Sequence, residues 1–351
     1  MGPSWTNYHY SPRLVPWLRS NRHKYDAVIV DGLWQYGGLA VHRAVAKTAT
    51  PYFVFGHGML DPWFKRTYPL KHLKKWLYWP WGEYRVLRDA TGVLFTCQAE
   101  RRLARQSFWL YRCNERVVNF GTPGPGDASP DQQLALRDSF LNRYPALQGK
   151  RNLLFLGRVH VKKGPDLLIK AFAKLLERLP TDSRALPHVV MAGPTDSAYG
   201  KEMKELATCL GLDAHVTWTG MLTGDDKWGA FHAADAFVLP SHQENFGIAV
   251  AEALACSLPV LISNQVNIWR EIIEDSAGYA AADSEEGTLD LLQRWLATPP
   301  DDWASMRQQA LTCFERRFHI EAAAASLIET LVECGVATSA GADPSTDLPT
   351  R

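Results

Sequence analysis

Short apolar runs alternate strictly with helix-forming stretches from residue 152 to residue 281, and no other feature of the sequence limits the fold so far. The runs fall at 153–156, 188–192, 216–219, 236–239, 259–262 and 278–281, with helical patterns at about 165–179, 201–210, 225–234, 247–256 and 268–274 between them. Their apolar content, β-branched at 259–262, suits the strands of a parallel sheet. Strand, helix and strand in repetition predict an α/β unit with a parallel, doubly wound sheet, and such sheets bind ligands beyond the carboxyl ends of their strands.

Two of the strand-to-helix loops carry chemistry. The first reads Gly157-Arg158-Val159-His160-Val161-Lys162-Lys163-Gly164-Pro165. Gly157 permits the turn and Pro165 suits a first helical position. Arg158 and Lys163 supply a planar fork and a point charge, a pair suited to a pyrophosphate. The second reads Pro240-Ser241-His242-Gln243-Glu244-Asn245-Phe246-Gly247-Ile248-Ala249-Val250-Ala251-Glu252-Ala253. The N–H groups around Gly247, Ile248 and Ala249, with the positive end of the helix dipole, make an anion site. Glu244 before the helix and Glu252 inside it stand roughly 8 to 10 Å apart at a rise of about 1.5 Å per residue, too far to share a proton. Two glutamates at this spacing are common in helical proteins without a ligand. Together with the basic loop they suit a phosphate flanked by hydroxyl-bearing rings, which describes a nucleotide sugar.

Gly157-Arg158 with Lys163-Gly164, followed by Glu244 and Glu252 with Phe246-Gly247 between them, resembles the retaining nucleotide-sugar glycosyltransferases of family 4, the glycosyl transferases group 1. The likeness covers about residues 10 to 335. It implies the GT-B fold, two Rossmann-like domains facing a cleft. In that family the residues matching Arg158 and Lys163 bind the donor's pyrophosphate, the glutamate matching Glu244 contacts the donor sugar's hydroxyls, and the one matching Glu252 contacts the ribose. The resemblance also implies that the loop at Gly220 and Met221 lines the base pocket through backbone groups, that Gly157, Phe246, Gly247 and Ile248 belong to the donor site, and that a histidine matching His57 lies near the donor sugar.

With 351 residues, 46% of them hydrophobic, and a net charge of +1, the chain can hold two domains and has no basic surplus that would mark a nucleic-acid partner. The cysteines at 97, 113, 209, 256, 313 and 334 lack metal-ligand spacing, which fits reduced thiols in the cytoplasm. Neither a signal peptide nor an apolar run near 18 residues is present. No metal or other cofactor is expected where Arg158, Lys163 and a helix N-terminus already supply positive charge. Asp225-Asp226 opens a helix, where acidic residues are favoured without metal.

The N-terminal part reads less regularly. Strands are expected at 27–30, 51–55, 92–96 and 116–119, with helices at 11–20, 39–47 and from 98 to about 110. His57 follows the second strand between two glycines, where a histidine otherwise reads as a turn residue. Asp31 ends the first strand, where many relatives carry another polar residue. Cys97-Gln98-Ala99-Glu100 resembles the family's Thr-Ser-x-x-Glu segment with Cys in place of Ser. Residues 61–88 interleave aromatic and basic residues, and a helix there puts Leu70, Leu73, Trp76 and Leu77 on one face and Lys71, Lys74 and Lys75 on another. Two readings stand: a surface helix on anionic lipid at the inner face of the membrane, or a solvated basic face over a core.

The expected division is 1–125 for an acceptor-side Rossmann-like domain, 126–150 for a linker and connecting helix, and 151–315 for the nucleotide-sugar domain. A helix at 316–335 is expected to cross back to the first domain, and 336–351 to be a disordered tail. The chain is expected to move a sugar from a nucleoside-diphosphate sugar to a glycan or lipid-linked acceptor in surface polysaccharide synthesis, with retention by front-side attack. A glycosidase using Glu244 and Glu252 as acid and base is an alternative, but glycoside hydrolysis releases no phosphate to occupy Arg158 and Lys163. A non-catalytic nucleotide-sugar-binding subunit or an inactive fragment is another. Family members begin with a strand, a glycine-rich loop and two further strands before the element matching 27–30, and nothing in residues 1–25 reads like these. The first domain is therefore expected to be incomplete, with an unprotected edge strand and the missing strands supplied from upstream or by a partner chain. In isolation the chain is expected to be aggregation-prone with weak or no transferase activity.

Overall fold

A computed structural model of the chain describes residues 7–126, 128–179 and 186–337. The chain divides into two compact units, Met1–Val118 with Ala324–Arg351, and Asn119–Ala323. Of the expected disordered tail, 338–351 lie outside the described residues, while Val336 packs in the first unit.

The first unit holds a parallel sheet of β1 (Val28–Asp31), β2 (Tyr52–Phe55), β3 (Gly92–Phe95) and β4 (Glu115–Val117), in that spatial order. Side chains alternate across it with period two, so each face needs its own cover. Val54, Val93 and Phe95 pack with Val41, Ala44 and Val86 from helices Tyr36–Val45 and Glu83–Arg88. Phe53, Leu94 and Val118 face Leu327 and Leu331 of the helix Ile320–Glu333, which returns from the far end of the chain. Among the described residues β1 lies at the sheet edge, and its Ile29 is 42% exposed.

Two elements here differ from expectation. The helix expected to reach 110 spans Gln98–Ala104, because Phe108 leaves the helical path to stack on Trp79 at 4.4 Å in the core. The basic aromatic stretch forms three helices, Trp63–Thr67, Pro69–Tyr78 and Glu83–Arg88. Its aromatics divide: Trp79 is fully enclosed, while Trp81 and the leucines 70, 73 and 77 stand exposed.

The second unit contains β5 (Arg151–Leu156), β6 (Pro187–Ala192), β7 (Val216–Gly220), β8 (Ala236–Leu239), β9 (Val260–Ser263) and β10 (Gly278–Ala281). The spatial order is β10-β9-β8-β5-β6-β7, all parallel. The chain winds outward from β5 to β7 and then returns to place β8 on the other side of β5. That reversal leaves a crevice at the carboxyl ends of β5 and β8, where doubly wound sheets take their ligands. Among the described residues no helix is long and apolar enough to cross a membrane.

One carboxylate in the first core is unusual. Glu83 is 1% exposed, and its Oε1 accepts a hydrogen bond from the backbone N–H of Trp34 at 2.7 Å. Burial pushes its carboxyl up to about 7, against the lowering effects of that hydrogen bond and of Lys75. The unfolded chain releases this proton near the ordinary glutamate value, so stability present below about 4.5 is lost as pH rises through about 7. Urea unfolding of wild type and Glu83→Gln should therefore diverge by about 3 kcal/mol between pH 4.5 and pH 8, with the wild type losing stability as pH rises. Parallel pH profiles for the two proteins would overturn the assignment.

Candidate functional site

The loop after β5 and the loop after β8 are held together by backbone. Gly164 has φ +65 and stands so close to the Pro240 carbonyl that a Cβ would lie 2.1 Å from its oxygen, so both the conformation and the space require glycine. The N–H of His242 donates to the Lys162 carbonyl at 2.9 Å. This approach brings the basic and acidic segments into contact, and Lys163 Nζ forms an ion pair with Glu244 Oε2, both side chains largely covered.

Glu244 is fixed from its other side as well, since its N–H donates to Gln265 O at 3.0 Å and its carbonyl accepts from Asn267 N at 3.0 Å. Phe246 is buried between Phe120 and Phe318, with ring centroids 5.1 and 5.5 Å away, and so anchors the turn. Gly247 follows at φ +81 and opens the helix Ile248–Ala255. Within that helix the first backbone donors to find carbonyls are Val250 and Ala251, both bonded to Gly247 O. The preceding N–H groups, those of Gly247, Ile248 and Ala249, have no acceptor among the described residues, which leaves a positive helix end open beside the Lys163–Glu244 pair.

Glu252 lies inside this helix and pairs with Lys227 at 2.9 Å, and Lys227 in turn sits 4.0 Å from the Trp228 ring centroid. Lys227 is not among the site residues expected from the sequence. It follows Asp225-Asp226 at the start of the helix Gly224–Ala233, 25 residues before its partner Glu252, so local pattern does not mark it. Arg158 is exposed and forms no hydrogen bond or ion pair among the described residues. Gly157 and Gly220 stand at the ends of β5 and β7, and Met221 and Ile248 are 72% and 52% exposed. Burial pushes the Cys256 thiol up to about 12, with Glu252 adding to the effect, so this cysteine stays inert beside the site.

In the first unit, His57 follows β2 at φ +44, stacks on Phe55 with centroids 5.1 Å apart, and pairs through Nε2 with Asp31 Oδ1 at the end of β1. Asp31 thus has a partner that its position in the sequence did not reveal. The loop is tied down by Glu100, which is 4% exposed. Its Oε1 accepts from Gly58 N at 2.5 Å, and its Oε2 accepts from Thr96 N and Thr96 Oγ1, both at 2.7 Å. Cys97 takes the capping role of the absent serine, its Sγ accepting from Glu100 N at 3.4 Å.

Two family models match the chain: "Glycosyl transferases group 1" over residues 137–311 and "Glycosyl transferase 4-like domain" over residues 2–121. Among curated relatives, a D-inositol 3-phosphate glycosyltransferase of Kineococcus radiotolerans is 30% identical over 252 residues, 70% of this chain and 54% of that protein. One of the same name from Actinosynnema mirum is 39% identical over 184 residues, 51% of this chain and 42% of that protein. The chain spans about half or less of the length of these relatives. The fold is similar to that of Anabaena Alr3699/HepE in complex with UDP, at TM-score 0.72 and 18% identity over 95% of this chain and 84% of that one. It is also similar to the sucrose-phosphate synthase of Thermosynechococcus elongatus, at TM-score 0.69 and 19% identity over 95% of this chain and 80% of that one. These likenesses, with the two parallel sheets, give the GT-B fold.

The geometry separates residues that hold the site from residues free to meet a ligand. Arg158→Ala should change stability by less than about 0.5 kcal/mol, as an exposed side chain without partners. Glu100→Ala should cost about 2 to 4 kcal/mol, because it leaves three donors without their acceptor in a buried place. Urea unfolding of both variants checks this, and equal losses would mean that Glu100 does not hold the loop.

Proposed function

The chain belongs to the glycosyl transferases group 1, and from that premise we propose that it is a retaining glycosyltransferase taking its sugar from a nucleoside-diphosphate sugar. The observation that supports this best is the meeting of Lys163 with Glu244 beside the open helix end at Gly247, with Arg158 unpaired on the same basic loop. As the glycosidic bond breaks, negative charge gathers on the departing diphosphate, and preorganised cations and N–H groups aimed at that charge lower the barrier. In this reading Lys163 exchanges Glu244 for the pyrophosphate, Arg158 closes on it, and the released Glu244 accepts hydrogen bonds from the donor sugar. Glu252 contacts the ribose, and the backbone at Gly220 and Met221 lines the base pocket. His57, oriented by Asp31, is the acceptor-side histidine, and the acceptor is a glycan or lipid-linked hydroxyl. A uridine diphosphate sugar is the first donor to test, since the similar Anabaena structures are complexes with UDP and UDP-glucose.

Peripheral attachment to a membrane belongs to the same proposal. On the helix Pro69–Tyr78, Leu70 is 82% exposed and Leu77 62%, with Leu73 and Trp76 also exposed and Trp81 just beyond. An apolar face of this kind on a helix with lysines suits the boundary of an anionic bilayer. Leu70→Ser with Leu77→Ser should abolish sedimentation with vesicles containing phosphatidylglycerol and leave thermal stability unchanged. Sedimentation that persists, or that the wild type never shows, would remove the membrane from the proposal.

Donor turnover by the purified chain separates an enzyme from a non-catalytic binding subunit. Arg158→Ala and Lys163→Ala should each lose about a hundredfold in rate, or about 3 kcal/mol of transition-state stabilisation. Calorimetry then separates the glutamates. Glu252→Gln should weaken binding of the bare nucleoside diphosphate, whereas Glu244→Gln should weaken only the intact nucleotide sugar. Equal losses in both variants would mean that the two roles are misassigned.

A further inference from the structure

A cavity of about 560 Å³ opens in the first unit, walled by Tyr8, Trp34 and Tyr78 and by the lysines Lys71, Lys74 and Lys75. The lysines come from the helix Pro69–Tyr78, and none of the three makes an ion pair among the described residues. Lys75 is the one drawn inward, its Nζ 4.5 Å from the Trp34 ring centroid and 5.6 Å from that of Phe64. Burial holds its ammonium below the ordinary lysine value, with Glu83 opposing the effect and Lys71 adding to it.

The cavity wall is built at a cost to stability. Trp34 has φ +69, a conformation seldom adopted by a bulky residue, and its backbone N–H is held by the buried Glu83. The Trp34 indole Nε1 and the second Glu83 oxygen, Oε2, are both enclosed without a hydrogen-bond partner. Tyr8 and Tyr78 share a hydrogen bond at 2.6 Å, and Gly82 makes room for the Tyr78 ring, which a Cβ there would meet at 2.1 Å. Unsatisfied buried donors and strained backbone persist where something other than packing keeps them. Three unpaired ammonium groups suit a multiply charged anion, and three aromatic faces suit the body that carries it.

We propose that this cavity binds a phosphate ester, its charge held by Lys71, Lys74 and Lys75 and its body, a sugar ring or a short acyl chain, lying against Tyr8, Trp34 and Tyr78. The indole N–H of Trp34 then finds its acceptor in an ester or phosphate oxygen. The charge of Glu83 attracts Lys75 and so competes with the ligand for it. No residue of the second unit takes part, so the site stands independently of the donor assignment.

Calorimetry on the full chain at pH 8 tests this with two soluble probes, glucose 1-phosphate for a sugar body and monomeric dihexanoylphosphatidic acid for a lipid body. Inorganic phosphate and glucose are the controls. One ester should bind saturably and at least tenfold more tightly than either control, and the arm that binds identifies the source of the phosphate. Lys75→Met should weaken that binding at least tenfold, whereas Glu83→Gln should strengthen it severalfold by removing the competing carboxylate. A role in packing alone gives no such opposite signs. Should Lys75→Met fail to fold, the double variant Lys71→Met with Lys74→Met, at two exposed positions, carries the same expected loss. Binding of neither ester, or unchanged affinity in the folded lysine variants, or a loss in Glu83→Gln, overturns the proposal. UDP measured alongside should bind equally in every variant, and its failure to bind at all would count against the donor reading and leave this site untouched.

Discussion

The close approach of Gly164 to the Pro240 carbonyl is the contact on which the candidate donor site depends. β5 and β8 are neighbours in the sheet although β6 and β7 lie between them in the chain, so their outgoing loops meet only at the reversal of strand order. Without a side chain at 164 the two loops close to backbone contact, and Lys162 O can accept from His242 N. That closure carries Lys163 to Glu244 and sets both beside the open helix end at Gly247. The charges follow from topology: the same residues on strands in simple sequential order would point into separate loops.

The second unit was legible because its strands obey one rule. β5, β6, β8 and β9 are short apolar runs buried almost throughout, the edge strands β7 and β10 are half-buried, and Gly, Pro or polar residues bound them, so period and limits agree. The first unit breaks that agreement in specific places. Phe108 lies in what reads as a continuing helix, yet its ring has more to gain by stacking on Trp79, and a three-residue turn that binds Ser107 Oγ to the Ala104 carbonyl releases it. Local pattern cannot weigh a contact between residues 29 positions apart. In the stretch at 61–88 the helical period correctly divided leucines from lysines, but a period fixes faces and not which of them turns outward. Here the leucines are exposed, and Lys75 lies over Trp34.

Buried carboxylates were the least legible feature. Glu83 stands in a stretch that is otherwise basic and aromatic and Glu100 opens a helix, places where a glutamate is usually solvated. Each is in fact almost fully enclosed and serves as an acceptor for backbone N–H groups, at Trp34 in one case and at Gly58 and Thr96 in the other. Those donors belong to loops that follow β1, β2 and β3, the strand ends where the polar residues of this unit gather. A loop at a strand end has no ladder to satisfy its N–H groups, and a carboxylate with two oxygens can satisfy several at once. The sequence marks such a residue only by its company, as Cys97-Gln98-Ala99-Glu100 does through its resemblance to the family's Thr-Ser-x-x-Glu segment.

The two lysine–glutamate pairs of the second unit bear on how cations are held close to a helix N-terminus. A cluster of cations at a strand end, with a helix dipole added, repels itself when no anion is present. Lys163 is neutralised by Glu244 and Lys227 by Glu252, so the two acidic residues offset that repulsion in the free protein. Both pairs are largely covered yet keep some contact with solvent, through which a partner can be exchanged. On the proposed donor reading, a diphosphate would take the place of Glu244 at Lys163 as a multiply charged acceptor and leave that carboxylate with unused lone pairs. On that same reading, acidic residues beside an anion site balance its positive charge whenever no anion is bound. Arg158, exposed and without an acidic partner, needs no such neutralisation because water already solvates it.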